Sequence, residues 1–165
     1  MLIKIFKTSN YTILGDTNQT INPYYKYDSL EELTSIFESS KYITLTKTYR
    51  STGKIIDYTN KILGLNHVTA IRRENSKPVI YRSNISNLKK TILDDLNVLS
   101  LEYLKMAIIA KDHYIATKLY NTIKNDINVS LINDNTKGIN SDLVIIPAYL
   151  AKGLEFDCVI IYNDP

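Results

Sequence analysis

Leu143-Val144-Ile145-Ile146-Pro147-Ala148-Tyr149-Leu150-Ala151-Lys152-Gly153-Leu154-Glu155-Phe156-Asp157-Cys158-Val159-Ile160-Ile161-Tyr162 consists of two apolar, β-branched runs joined by a short polar turn. Short continuous runs of this kind are how strands buried on both faces of a parallel sheet read. Between them the turn sets a cation (Lys152), a flexible backbone (Gly153) and a carboxylate (Glu155). In open α/β sheets, ligands bind at such strand-end loops.

Outward from this stretch, the pattern alternates from residue 42 onward. Strand 43–45 leads to helix 53–63, strand 79–81 to helix 84–99, and strand 106–110 to helix 113–124, with strands 129–131 and 143–146 after them. Strands separated by helices of this length imply right-handed βαβ units and a mostly parallel sheet. Nearer the N-terminus, residues 2–6 read as the end of a helix and 11–14 as a strand. Asp28 is placed to cap a helix to about residue 38, with Leu30, Leu33, Ile36 and Phe37 on one face.

Bulk properties bound the answer. A chain of 165 residues fits one domain with a substantial core, and 22% charged residues exclude the disordered class. A net charge of +3 permits contact with a phosphate backbone without requiring it. The single cysteine, Cys158, excludes an internal disulfide framework and reads as a core residue in a reducing compartment. Residues 1–6 are too short for a signal peptide, and no apolar stretch reaches membrane-spanning length. The expectation is a cytoplasmic protein with no membrane partner. His67 and His113 lie far apart without carboxylate or thiolate at ligand spacing, so no metal site is expected on this chain. Asn133-Asp134-Asn135-Thr136-Lys137-Gly138 is a turn cluster without the spaced carboxylates of a calcium loop. Arg72-Arg73, before Glu74, reads as a solvated loop, with a phosphate contact as the alternative.

Two further blocks carry chemistry. In Ile13-Leu14-Gly15-Asp16-Thr17-Asn18-Gln19 an apolar run enters Gly-Asp and then a side-chain amide. In Leu45-Thr46-Lys47-Thr48-Tyr49-Arg50-Ser51-Thr52 a strand ends in Tyr-Arg, and Ser51 or Thr52 can cap the following helix. The planar fork of Arg50 suits bidentate phosphate contact. No Gly-x-x-x-x-Gly-Lys-[Ser/Thr] loop occurs: Gly53-Lys54 is followed by Ile55.

The order Gly-Asp-x-x-Gln, Tyr-Arg-Ser-Thr, Lys-Gly-Leu-Glu-Phe-Asp resembles motifs III, IV and V of superfamily 1A helicases, the UvrD/Rep/PcrA group. Within it, Ile13–Gln19 and Tyr149-Leu150-Ala151-Lys152-Gly153-Leu154-Glu155 look closest to the HelD branch. The resemblance implies a three-layer α/β/α RecA-like fold of the P-loop NTPase type. Residues 1–24 would be the tail of a first RecA-like domain, 25–41 a connector and helix, and 42–165 a second such domain cut before motif VI. The chain is then expected to be a fragment.

The resemblance also implies roles. Arg50 would be an arginine finger, Gln19 a γ-phosphate sensor, Tyr49 an adenine-stacking residue and Glu155 a ribose-hydroxyl acceptor, with Gly153 and Lys152 also at ATP. Tyr24 sits where the family places a base-stacking aromatic, in the aromatic and cationic connector Asn22-Pro23-Tyr24-Tyr25-Lys26-Tyr27. Pro147-Ala148-Tyr149 stands where motif V usually begins Thr-x-His, leaving Tyr149 as the candidate nucleic-acid contact there. The implied cofactors are ATP and Mg2+, whose Walker A loop and metal carboxylates would lie outside this chain, so the fragment alone would be inactive. The implied partners are single-stranded or duplex DNA, the first RecA-like domain of the same protein and, on the HelD branch, RNA polymerase. The alternatives are a UvrD-type DNA-repair helicase, or a non-catalytic RecA-like remnant acting as a binding module.

Overall fold

The computed structural model describes residues 9–20, 30–37, 39–65, 67–72, 77–82 and 86–163. The helix end expected at 2–6, the connector containing Tyr24, and the Asp28 cap lie outside them. The chain divides into two compact units, Met1–Tyr81 and Arg82–Pro165. Both are built on parallel strands, and the fold class is α/β.

In the first unit, strands β1 (Lys47–Thr48) and β2 (Thr69–Ala70) form a two-stranded parallel ladder joined by helix α1 (Gly53–Leu63). The helix starts after Thr52 and stops at Gly64, whose φ of 67° lies in the left-handed region that favours glycine. Leu65 N–H then donates to the Asn60 carbonyl, and the Asn60 side chain donates to the Val68 carbonyl at 2.8 Å, leading the chain into β2.

Three expectations here are corrected. Residues 11–14 form no strand. They are exposed, with Tyr11 against Phe37 (ring centroids 5.8 Å apart), because no described segment offers them a ladder. The expected helix to residue 38 is a 3-10 turn, Leu30–Ser35. The hydroxyls of Thr34 and Ser35 donate to the carbonyls of Glu31 and Glu32, each at 2.7 Å, which competes with α-helical pairing. Strand pairing begins at Lys47 and leaves 43–45 outside it, because the β2 backbone bonds select the carbonyls of Thr46 and Thr48.

The second unit holds a four-stranded parallel sheet: β3 (Met106–Ala110), β4 (Ser130–Leu131), β5 (Leu143–Pro147) and β6 (Cys158–Tyr162), in the order β4-β5-β3-β6. Helices α2 (Leu88–Leu99) and α3 (His113–Ile123) pack on one face, and α4 (Ala148–Ala151) lies in the crossover from β5 to β6. Both long helices are capped by polar side chains. Asn87 Oδ1 accepts from Lys90 N–H, and Asp112 Oδ1 accepts from Ile115 N–H. The Asn87 cap puts the start of α2 at Leu88, later than the expected residue 84. Residues 79–81 form no strand: all three are exposed, and Pro78 before them has no N–H for a ladder.

Helical spacing brings Ile92 and Leu96 of α2, and Ala116, Leu119 and Ile123 of α3, onto Met106, Ile108, Leu143 and Ile145 of the sheet. On the other face Ala107, Ile132, Val144 and Ile146 meet Leu150, Ala151 and Phe156 of the β5–β6 crossover. Each Val, Leu, Ile or Met among them that is fully removed from water contributes roughly 1.5–3 kcal/mol. β5 is buried at all five positions, as its apolar run implies. β6 is not: it is an edge strand whose Val159 and Ile161 are exposed while Cys158, Ile160 and Tyr162 face the core. Burial pushes the Cys158 thiol up, with the charges of Glu102 and Asp157 adding to it. No described helix is long and apolar enough to cross a membrane.

Candidate functional site

The candidate residues fall into three local arrangements, two in the first unit and one in the second. The first follows β1. Tyr49 and Arg50 sit in the turn between β1 and α1, both exposed, with Arg50 N–H directed at Thr48 Oγ1 at 3.4 Å. Thr52 occupies the N-cap position but its side chain makes no capping bond. The first helical N–H, from Gly53, instead donates to the carbonyl of Arg72 at 3.0 Å. The tail of β2 thereby pins the turn that presents Tyr49 and Arg50. Sequence reasoning placed the cap on Ser51 or Thr52 because capping is normally local, and a carbonyl nineteen residues away gives no local signal.

The second arrangement is the Gly-Asp-x-x-Gln turn. Asp16 caps a short 3-10 turn, Thr17–Gln19, its Oδ1 accepting from Asn18 N–H at 3.0 Å and its Oδ2 from Gln19 Nε2 at 2.7 Å. Asp16 thus shapes the turn, and one donor of the Gln19 amide is engaged by it, while the amide as a group can also accept a hydrogen bond. A Cβ at Gly15 would come within 2.7 Å of Leu30 Cδ1, so the missing side chain allows Leu30 to pack over the turn.

The third is the β5–β6 connection. Tyr149, the second residue of α4, donates its hydroxyl to Asp134 Oδ2 at 2.9 Å, tying the loop after β5 to the loop after β4 at the C-terminal edge of the sheet. That bond, then desolvation and the Asp134 charge, raises the Tyr149 hydroxyl above the ordinary phenol range. Asp134 was legible only as a turn residue; a bond across fifteen residues has no sequence period. Lys152 ends α4 and is exposed, Gly153 follows at φ 84°, and Glu155 is exposed three residues after Lys152. A side chain at Gly153 would be strained by its backbone, although nothing lies within 4 Å of where its Cβ would stand. Phe156 anchors the loop in the core, and Asp157 Oδ2 accepts from Lys105 N–H at 2.8 Å where β6 begins. The loop is therefore clamped at both ends with its polar middle outside.

Chemically, the β1–α1 turn offers a guanidinium and an aromatic face. The β5–β6 loop offers an ammonium, a carboxylate and an unhindered backbone. The first set fits the phosphate and aromatic base of a nucleotide, and the second, taken by itself, fits a phosphate or a hydroxyl-bearing ligand. Among the described residues, no three His, Cys, Asp or Glu side chains are grouped to hold a metal ion. The small hollow of about 160 Å³ beside Leu88, Lys118 and Tyr162 involves none of the candidate residues. No protein-family model matches the chain, and no curated protein matches it either.

Proposed function

We propose that this chain is the second motor lobe of an ATP-dependent superfamily 1 helicase or translocase, three-layered and RecA-like, working on DNA and, as on the HelD branch, on RNA polymerase complexes. The observation that carries the reading is the β1–α1 turn. An exposed Tyr-Arg pair leaves a parallel strand, and a neighbouring strand's carbonyl fixes the turn ahead of the helix.

In this reading Arg50 carries negative charge developing on the terminal phosphoryl group, as arginine fingers do. Tyr49 offers a stacking face to the base. The resemblance assigns ribose contact to Gly153 and Glu155, phosphate contact to Lys152, and contact with a water or a phosphate oxygen to Gln19. ATP supplies the phosphoryl group when bound; its Mg2+ carboxylates and Walker A loop belong to a separate lobe. The Tyr149 hydroxyl, engaged by Asp134, positions the motif V loop. Tyr24 and Tyr149 are the proposed nucleic-acid contacts.

The test is reconstitution of the chain with a Walker-A-bearing first lobe, followed by ATP hydrolysis with and without single-stranded DNA. DNA-stimulated hydrolysis that needs both parts is the expected result. Hydrolysis indifferent to the presence of this chain would refute the proposal.

A further inference from the structure

We infer that Arg72 is a second guanidinium of the anion site at the end of β1, acting with Arg50 on the oxygens of a polyphosphate. This rests on the reading of Arg50 given above and adds a residue to it.

Register and one backbone bond bring the segments that carry the two arginines side by side. Lys47 pairs with Thr69 and Thr48 with Ala70, and Ile71 N–H continues the ladder by donating to the Thr48 carbonyl at 2.9 Å. Arg50 lies two residues beyond Thr48 and Arg72 two residues beyond Ala70, each where the chain leaves its strand. The backbone of Arg72 is then held in place by its carbonyl, which accepts from Gly53 N–H. Its side chain is exposed and, among the described residues, makes no hydrogen bond or ion pair. Arg82 differs, being held by Asp95 in a bidentate contact at 2.6 and 2.8 Å.

Charge points the same way. Lys54, in the first turn of α1, adds a third cation where the helix dipole disfavours one. A group of cations at one turn favours a bound polyanion. The guanidiniums supply the recognition, and their planar forks fit phosphate oxygens better than a lysine would.

The experiment is a titration of the 165-residue chain with inorganic tripolyphosphate, followed by amide NMR, for the native chain and for Arg50→Ala, Arg72→Gln, Arg72→Ala and Arg72→Lys. The cap is made by the backbone carbonyl, so Arg72→Gln is expected to keep the Gly53 amide shift and the fold. Native chain should show saturable shifts at Arg50, Gly53 and Arg72. Arg72→Gln and Arg72→Ala should each weaken binding about tenfold, the loss of one charge-assisted contact. Arg72→Lys should recover part of it. Affinity lost in Arg50→Ala but unchanged in both neutral Arg72 variants would overturn the role of Arg72 and leave Arg50 standing. Absence of saturable shifts at the β1–α1 turn of the native chain would overturn both.

Discussion

The unit Arg82–Pro165 and the unit Met1–Tyr81 use the same building block, a parallel strand feeding a helix, with opposite results. In the former, two central strands are buried and two capped helices close one face. In the latter, a ladder of two residue pairs is flanked by exposed Ile43, Leu45, Tyr49 and Ile71, and Ala70 is its one fully buried apolar residue among those described. Two-stranded sheets have little stability of their own, so what fixes the first unit is a few backbone bonds, above all Gly53 to Arg72. The difference teaches where each kind of chemistry is kept. The β5–β6 loop hangs on a rigid core, whereas Tyr49 and Arg50 are presented by a turn held from one neighbouring strand.

Substitutions can break or sharpen that contrast. Ile145 is fully buried at the centre of the sheet, so Ile145→Ala should cost about 4 kcal/mol in denaturant unfolding, whereas Leu45→Ala, 78% exposed, should stay within about 0.5. Similar costs at the two positions would erase the distinction between the units. Gly153→Val forces a β-branched residue to φ 84° and should destabilise by about 2 kcal/mol while perturbing amides of the β5–β6 loop; unchanged spectra would show that the loop does not need its left-handed residue. Asn87→Ala removes the cap of α2 and should cost about 1 kcal/mol, whereas Thr52→Ala, whose side chain makes no capping bond, should cost much less. Equal losses would mean that α1 relies on Thr52 after all.

The smallest effect concerns pH. The raised Cys158 thiol favours the neutral form in the folded state. Its stabilisation is fully present below the ordinary thiol pKa and is lost as pH rises through the raised folded value. Stability should therefore decline slightly on the alkaline side in the native chain, with a shallower decline in Cys158→Ala. Identical slopes would remove this contribution.

How much was legible from sequence follows the same division. The strand 106–110 and helix 53–63 were readable residue for residue, and helix 113–124 to within one residue at its end, because buried apolar runs and amphipathic periods are local signals. The dipeptide strand Thr69–Ala70 was not, since two residues have no period and exist as a strand only through their partner. β6 was expected to be buried because its apolar run matches that of β5, yet its place at the sheet edge exposes every second residue. Among the candidate residues, Tyr49 and Arg50 in one unit and Lys152, Gly153 and Glu155 in the other stood out as contiguous motifs. The bonds that position them, Arg72 to Gly53 and Asp134 to Tyr149, span nineteen and fifteen residues and leave no trace in a single sequence.

The central claim is that Arg50 serves ATP hydrolysis. It is tested most directly by the nucleic-acid-stimulated ATPase rate of the reconstituted two-lobe protein with Arg50→Ala. The account predicts a fall of about a thousandfold or more, with the folded-state spectrum of this chain unchanged. A rate within about twofold of the native protein, where loss of a finger should cost at least a thousandfold, would contradict it.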